Sequence, residues 1–422
     1  MYWSLYFFYG LLIVSIIATL RDPFWGVATY YYFSFFRPQD YYHWALTGSR
    51  LSYYIALVAI YSFFVNKGKY GYTLPKTKET MAVLIFWIFM LFSCFFSPFP
   101  DRSWPTFEVF SKIIIFYYFA LAMINSEKKF KIMLWVLIYS FVYYAIWANW
   151  RYIFEGIKIM EGPGLAEADY RDRNTFSLIF VVAIPICFYM RYIMQHKLIK
   201  YTLLAAIPVL MHAIVATFSR GGYLGMLVAS GYSILNMKKK GAAILTIMVF
   251  IPLLLQMQGA EHRNRMNSIL VEGEERETSA ESRIEAWKGG IKMMQDHPIL
   301  GVGLQNFEVF IKKYNPNVVN MVAHNTYIQI GAEIGIPAMS LYILILLFSL
   351  FTLHKLRRKV KAEGLSENLH YYTLMLEGSI LGFIICSIFL SMELFEPSYF
   401  LFCMVVCLKV LTDKGAFVPR IA

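Results

Sequence analysis

The sequence is poor in charge for its length. Lysine, arginine, aspartate and glutamate make up 16% of the 422 residues, whereas hydrophobic residues make up 58% and aromatic residues 18%. A water-soluble domain carries about 25% charged residues, so the composition argues against a soluble protein. The net charge of +12 is not arranged as a basic stripe on a soluble fold, which argues against nucleic acid as a partner.

Cysteine is also scarce, and its positions give no sign of a disulfide framework or a metal site. The five cysteines lie inside apolar runs, at positions 94, 187, 386, 403 and 407, where thiols usually pack as small hydrophobic side chains. The opening residues MYWSLYFF lack the basic region and the small-residue cleavage site of a signal peptide. We therefore expect them to belong to a retained first helix.

Apolar runs of membrane length are abundant. A helix needs about 20 apolar residues to cross a hydrocarbon core ~30 Å thick, and such runs predict an all-α, polytopic integral membrane protein with about twelve transmembrane helices. A shorter aromatic run, 24–36, reaches only about 21 Å as a helix, so we expect a half-helix or re-entrant segment at 23–36. The predicted spans are 1–20, 51–65, 80–98, 107–124, 130–150, 176–194, 200–218, 222–237, 241–257, 335–353, 371–391 and 397–412.

The runs divide the chain into three parts. Transmembrane helices 1–9 and the segment 23–36 occupy 1–257, a mostly polar helical loop occupies 258–323, and the last transmembrane helices occupy 324–422. The short loops form two alternating sets, with 20 lysines and arginines in one and 6 in the other. Because basic loops stay in the cytoplasm, we expect the large loop on the periplasmic face, and both chain ends in the cytoplasm if 24–36 does not cross.

Six polar residues fall near that outer face: Arg171, Arg173, Arg220, Arg283, His324 and Asn325. A lone interfacial arginine usually extends to lipid headgroups, but the two glycines after Arg220 leave room for a helix or a ligand. His324 stands at a predicted helix start, where the helix dipole disfavours protonation, and a neutral imidazole is a competent general base. One base among several arginines suits chemistry on a polyanionic lipid such as a pyrophosphate.

The acidic residues suggest no metal site on the outer face, which has no Asp-x-Asp motif. Glu393 and Glu396 have the spacing of neighbours on a helix end, and we interpret them as a solvated helix terminus. Glu333 and Glu377 are intramembrane acids that need partners, and we assign them structural roles. We therefore expect neither a metal nor another cofactor.

Three segments resemble the O-antigen ligases in the order that this family shows. SRGGYL matches an arginine-x3-leucine motif at Arg220 and Leu224, and HNTYIQIGAEIG is similar to the family's histidine motif at His324, Asn325 and Gly335. Between them, SRIEAWKGGIKMMQDHPILGVGLQNF is similar to the segment that precedes this histidine in ligases and in the related O-antigen polymerases. The histidine motif departs at Ala338, where glycine, threonine or tyrosine is expected.

The resemblance implies a membrane glycosyltransferase of GT-C-like architecture in the bacterial inner membrane, with its active site facing the periplasm. An undecaprenyl-diphosphate-linked glycan would be the donor, and a hydroxyl of lipid A-core the acceptor, with inversion at the anomeric carbon. His324 would be the base. Arg220 and Arg283 would hold the diphosphate in place of a metal, and Arg171, Arg173 and Asn325 would contribute to substrate binding.

Other acceptors and one other class of protein stay open. The stretch RDPFWGVATYYYFSFFRPQDYYHWA also resembles the N-terminal extension of ligase-like proteins assigned to O-glycosylation, for which the acceptor is a protein or another glycan. An O-antigen polymerase would differ only in using a second lipid-linked glycan. A lipid or polysaccharide flippase would need charges spread through several mid-membrane positions, and here these are few.

Overall fold

The computed structural model describes residues 3–70, 72–165, 169–237, 278–316 and 321–418, together with residue 318 and single residues between 240 and 252. All regular structure in these ranges is helical, which confirms the all-α fold class. We number the described α-helices in chain order: α1 Trp3–Arg21, α2 Phe24–Phe36, α3 Pro38–Tyr41, α4 His43–Leu46, α5 Leu51–Tyr70, α6 Lys78–Phe95, α7 Pro100–Met123, α8 Glu127–Phe154, α9 Arg173–Ile193, α10 Lys197–Ala216, α11 Arg220–Leu235, α12 Thr278–Asp296, α13 Phe307–Tyr314, α14 Thr326–Glu333, α15 Ile336–Glu363, α16 Glu367–Ser387 and α17 Glu396–Asp413.

Eight of the described helices are long and apolar enough to cross a membrane, namely α1, α6, α7, α8, α9, α10, α15 and α16. The chain is therefore a multi-pass membrane protein. Three further predicted spans coincide with α5, α11 and α17, whereas the predicted span 241–257 and the first part of the loop, 258–277, lie largely outside the described residues. The number of twelve crossings stays a prediction.

Helix α9 lies at the centre of the bundle. Within its most apolar stretch, 83% of the residues are buried, and it packs against α8, α10, α11 and α16. Asp172 caps its first turn, since Oδ1 accepts the N–H groups of Asn174 at 3.0 Å and Thr175 at 2.8 Å. Because an enclosed helix can move little, this cap holds the residues around it in a defined position.

Three helices begin at one end of the bundle. Ser219, which caps α11, donates its hydroxyl to Asn174 Oδ1 in the first turn of α9 at 2.8 Å. Thr326, the first residue of α14, accepts the N–H of Met392 at 3.0 Å, and the Met392 sulfur lies 3.8 Å from Thr175 Oγ1 in α9. We call this the His324 end.

Helix α2 joins the two ends of the bundle. It begins beside Asp22, which pairs with Lys129 near the start of α8 at 2.9 Å. At its other end the Phe36 carbonyl accepts the Tyr144 hydroxyl from α8, and the Tyr144 ring lies 6.0 Å from Phe176 near the start of α9. The segment expected to be a half-helix or a re-entrant segment is one continuous helix of 13 residues between these two contacts.

The intramembrane acid Glu377 has the partner that its position requires. Its carboxylate lies 2.9 Å from Arg357 Nη1 and accepts a hydrogen bond from the Tyr232 hydroxyl. The three groups join α11, α15 and α16, so Glu377 has the structural role that we expected. The five cysteines are all buried and free.

Candidate functional site

His324 lies at the helix start that the sequence predicts, one position before the residue that caps the helix. Asn325 Oδ1 accepts the N–H groups of Tyr327 at 3.0 Å and Ile328 at 3.1 Å. The His324 imidazole therefore is not needed as a cap. Its side chain is half-buried, and its backbone has a φ of 46°, in the left-handed region that non-glycine residues seldom adopt.

The segment that carries His324 is held from both sides. The carbonyl of Ala323 accepts the indole N–H of Trp287 in α12 at 2.8 Å, and the N–H of Ala323 donates to Gln329 Oε1 in α14 at 2.9 Å. Since Trp287 lies one helical turn after Arg283, the contact also brings the Arg283 part of α12 toward His324. The pattern of apolar residues in the sequence predicted the helix that makes this contact possible.

The surroundings of His324 favour its neutral form. Burial lowers the pKa of the imidazole below the usual histidine value, and the positive charge of Arg283 lowers it further, while the negative charge of Asp172 acts in the opposite direction. Burial is the largest of these causes, and it acts in the same direction as the helix dipole. A neutral imidazole can accept a proton at pH 7.

The predicted arginines differ in their surroundings. Arg220 is the exposed first residue of α11, Arg173 is the half-buried first residue of α9, and Arg283 is half-buried on α12. Arg171 is exposed and pairs with Glu161 at 3.2 Å, so it is already engaged by a carboxylate. The structure thus places Arg173 and Arg220 at the positive ends of two neighbouring helix dipoles.

The two glycines after Arg220 are needed for helix packing. A side chain at Gly222 would lie 2.4 Å from the Ser177 hydroxyl in α9, and one at Gly221 would lie 3.1 Å from Phe389. The space beside them is therefore filled by neighbouring segments of the same chain. Gly222 lets the start of α11 approach α9 closely, where Ser219 bonds to Asn174.

Gly335 of the histidine motif also has a packing role. It has a φ of +104°, and a side chain on it would lie 2.1 Å from the Ile299 carbonyl oxygen. The turn that contains Ile299 therefore contacts the end of α14 directly, and Ile336 N donates to Pro298 O at 2.8 Å. Ala338, where the motif departs from its pattern, is fully buried on α15.

Glu333 connects the end of α14 to the start of α13. Its carboxylate accepts the backbone N–H groups of Gln305 at 2.9 Å and Phe307 at 3.0 Å, and the Gln329 side-chain amide at 2.7 Å. Burial and the nearby Glu393 carboxyl raise the pKa of Glu333, whereas the three N–H donors lower it. Burial is the largest of these causes, so the pKa of Glu333 lies above the usual glutamate value. The three donors fix the carboxyl in place, which gives Glu333 a structural role.

The solvated helix terminus predicted for Glu393 and Glu396 is wrong. Glu393 precedes α17 and is only 6% exposed, and Glu396 in the first turn accepts a hydrogen bond from Ser34 in α2. Both line a cavity of about 450 Å³ at the His324 end, together with Arg37 from the N-terminal region. The sequence spacing suggested a helix surface, but α2 packs over that surface and encloses it.

Backbone strain also concentrates at the His324 end. Among the described residues, four that are not glycine have a positive φ, namely Arg37, Phe218, Gln305 and His324. Arg37 and Gln305 line the cavity, and Phe218 directly precedes the cap of α11. Such conformations cost about 1–3 kcal/mol each and persist where the surrounding structure imposes them, often at functional sites.

The described residues contain no group of three or more histidine, cysteine, aspartate or glutamate side chains placed to hold a metal ion. The side chains gathered at the His324 end are instead a neutral base and several guanidinium groups. Helix starts lie beside them, and their backbone N–H groups favour anions. This combination can bind a polyanion and accept a proton next to it.

The fold and the site define a class: a multi-pass helical membrane protein whose polar site lies at one end of the bundle. Residues 203–343, which include Arg220, Arg283 and His324, match the O-antigen ligase family. This match supports membership of the chain in the O-antigen ligase superfamily. Residues 4–194 match a family of unknown function. No curated protein matches the chain.

Proposed function

We propose that the protein is a membrane glycosyltransferase of the O-antigen ligase type, which moves a glycan from undecaprenyl diphosphate to a hydroxyl of lipid A-core. Membership of the superfamily supports a glycosyl-transfer enzyme of ligase or polymerase type. The observation that carries the specific proposal is the half-buried His324, kept neutral by burial and by Arg283, at an end of the bundle where α9, α11 and α14 all begin.

The reaction follows from these groups. His324 accepts the proton of the acceptor hydroxyl, the oxygen attacks the anomeric carbon from the face opposite the diphosphate, and the bond from that carbon to the diphosphate oxygen breaks. Attack from the opposite face inverts the anomeric configuration. The diphosphate leaves with the bonding electron pair, and its growing negative charge is stabilised by Arg220 and Arg283.

The other predicted residues take supporting roles in this proposal. Arg173, at the start of α9, is placed to add to the positive field around the diphosphate. The oxygen of Asn325 is engaged in capping α14, so its amide N–H group is the part that would contact substrate. Arg171, paired with Glu161, would contribute less than the other arginines, because an exposed ion pair adds little.

The proposal also places the His324 end in the periplasm. The basic loops predict this orientation, and the course of α2 from one end of the bundle to the other leads us to infer that α2 crosses the membrane. Residue 3 would then lie on the same side as His324. If 24–36 were a re-entrant segment that does not cross, residue 3 would instead lie in the cytoplasm, on the side opposite His324.

Cysteine labelling tests this topology, and the five buried native cysteines should give little background. Single cysteines at Trp3 and Gln295 should react with a membrane-impermeant maleimide in spheroplasts, and one at Glu363 should react only after lysis, since all three positions are exposed. Labelling at 363 but not at 295 would reverse the orientation. Labelling at 295 without labelling at 3 would show that α2 does not cross.

The rate of transfer should fall at acidic pH, with a midpoint below the ordinary histidine value of about 6.5. The lowered pKa of His324 means that the ring loses its ability to accept a proton only under more acidic conditions. Asp172→Asn should move the midpoint to still lower pH, because it removes the negative charge that favours the imidazolium form while keeping an effective cap.

The measurement is kcat/KM as a function of pH for the parent, Asp172→Asn and a control, Asp101→Asn, whose side chain is exposed in the first turn of α7. The control should leave the midpoint in place. A midpoint that stays in place or rises in Asp172→Asn would show that the fall in rate at acidic pH is not caused by protonation of His324.

A reconstituted transfer assay decides between the acceptors. Purified protein in liposomes is given undecaprenyl-diphosphate-linked glycan with lipid A-core, or the lipid-linked glycan alone. We expect joined lipid A-core glycan in the first reaction. A longer lipid-linked glycan in the second, with no product on lipid A-core, would assign the protein to the polymerases, and movement of the lipid across the bilayer without any new bond would identify a flippase.

A further inference from the structure

Two walls of the cavity at the His324 end come from parts of the chain outside the ligase motifs, whereas Gln305 and Gln329 in its lining belong to the motif segments. One wall comes from α2 and the residues just after it, including Ser34 and Arg37, and another comes from residues 391–397. Its volume of about 450 Å³ falls within the ~300–1,000 Å³ of small-molecule sites. The first wall lies within the part of the chain that matches a family of unknown function.

The cavity is close to the proposed base. Val322, two residues before His324, lines it. Gln329 also lines it, and its Oε1 accepts the N–H of Ala323, which directly precedes His324. None of the arginines that we assign to the diphosphate lines the cavity. The cavity therefore lies next to the segment that carries His324, and it does not contain the arginines proposed to bind the leaving diphosphate.

Glu393 is the unusual side chain of this cavity. It is 6% exposed, and its Oε2 atom has no hydrogen-bond partner among the described residues. A buried carboxyl oxygen without a partner is costly and calls for an explanation. Burial raises the pKa of Glu393 to about 7, so near neutral pH the group can donate as well as accept a hydrogen bond.

The remaining lining suits an uncharged, hydroxyl-rich ligand. Carboxyl and amide groups such as Glu396 and Gln305 can hydrogen-bond hydroxyls, and rings such as Phe33 and Phe395 offer flat apolar surfaces. The two cations of the lining, Arg37 and Lys112, already pair with Asp40 and Glu108, each at 2.7 Å. They therefore do not offset the two acidic side chains, which disfavour a diphosphate. The combination of polar groups with aromatic surfaces is the chemistry that holds a sugar ring, which has hydroxyls on its edge and C–H groups on its faces.

We propose that this cavity is a subsite for an uncharged sugar ring and that Glu393 hydrogen-bonds one of its hydroxyls. The inference rests on the proposed glycosyl transfer. An inverting displacement brings the acceptor in opposite the leaving group, and the cavity adjoins His324 but not the diphosphate arginines. We therefore assign it to a sugar of the acceptor, with the sugar nearest the diphosphate of the donor as the other source of the same chemistry.

The test compares the parent, Glu393→Gln and Ser52→Phe in the reconstituted transfer assay, varying lipid A-core and undecaprenyl-diphosphate-linked glycan separately. Glu393→Gln keeps the shape of the side chain and removes the carboxyl. Ser52→Phe places bulk in the cavity from the opposite wall, which Ser52 lines, without altering Glu393. The matched control is Glu308→Gln, which affects only a partly exposed ion pair with Arg102 at 3.1 Å.

We expect both cavity variants to raise the KM for lipid A-core about 10- to 100-fold, with a smaller change in kcat and none in the control. In Glu393→Gln the cause is the weakened hydrogen bond to a charged group, and in Ser52→Phe it is the bulk that excludes the sugar ring. A rise in the KM for the donor alone would assign the ring to the donor and keep the subsite. Unchanged KM values for both substrates in an active, folded Glu393→Gln protein would overturn the inference. A parent that transfers nothing would instead overturn the proposed function.

Discussion

His324→Asn should reduce the transfer rate by about 10²–10⁴-fold, the contribution of a general base, while the protein stays folded in the membrane. Asparagine is a suitable replacement because it tolerates the left-handed backbone that His324 adopts at a φ of 46°. It also lacks a group that takes up a proton near pH 7. The cap of α14 is supplied by Asn325, so the substitution should not unwind the helix.

The matched control is His297→Gln, in an exposed position just after α12 at the same end of the bundle. Transfer is measured with purified proteins at saturating donor, and folding is checked by thermal unfolding in detergent. We expect the control to keep the parent rate. A His324→Asn protein that works at near the parent rate would show that the base is another group, and the superfamily membership would then account for the fold alone.

Arg220→Lys and Arg283→Lys should each lower the rate by about 30- to 1000-fold, or ~2–4 kcal/mol in the barrier. A guanidinium holds two oxygen atoms in a fixed fork, whereas an ammonium is a compact point charge with no preferred plane. The half-buried position of Arg283 beside His324 makes water a poor substitute for the lost hydrogen bond. The parent should stay fully active in excess chelator.

Arg102→Lys serves as the control, because Arg102 forms a partly exposed pair with Glu308 at 3.1 Å and has no part in the proposed site. Its rate should match that of the parent. Loss of parent activity in chelator, with recovery on addition of magnesium, would contradict the metal-independent mechanism. Lysine variants as active as the parent would show that the two arginines serve only as membrane anchors.

Short-range sequence patterns were enough to predict the positions of many of the helices. Apolar runs of membrane length predicted the helices, and Thr278 and Glu281 have capping-box spacing at the start of α12, which begins at Thr278. Asn325 at the head of an apolar segment predicted the start of α14, and Pro316 lies just after α13, which ends at Tyr314. Each of these signals depends on residues within a few positions of one another.

What the sequence did not reveal depends on contacts between distant segments. Asp172 lies between the two arginines that drew attention, and only the fold shows that its charge acts on His324. Glu393 follows the spacing of a helix surface, and nothing local indicates that α2 covers it. The left-handed backbone of His324 is likewise imposed by the contacts of Ala323 with α12 and α14.

Helix α2 has the short length that the sequence predicts. Thirteen residues make a helix of about 20 Å, short of a hydrocarbon core ~30 Å thick. The helix nevertheless joins the two ends of the bundle, because its own ends are enclosed by protein. Polar groups at both ends of α2 are paired with other helices, as in the contact of Asp22 with Lys129, so these ends need not reach the lipid headgroups themselves.

The contact between Ser34 and Glu396 has a consequence for how the protein is made. The two residues are 362 positions apart, and a ribosome that adds about 5–20 residues per second needs roughly 20–70 s to synthesise the chain between them. All the ligase motifs emerge during that interval, because Arg220, Arg283 and His324 lie between the two walls of the cavity. The last motif residue, Gly335, is made 61 residues before Glu396, which is about 3–12 s at that rate. During those seconds the chain carries every motif before the cavity can close, and a nascent chain arrested just after Gly335 would hold the complete motif set without the enclosure that surrounds it in the finished protein.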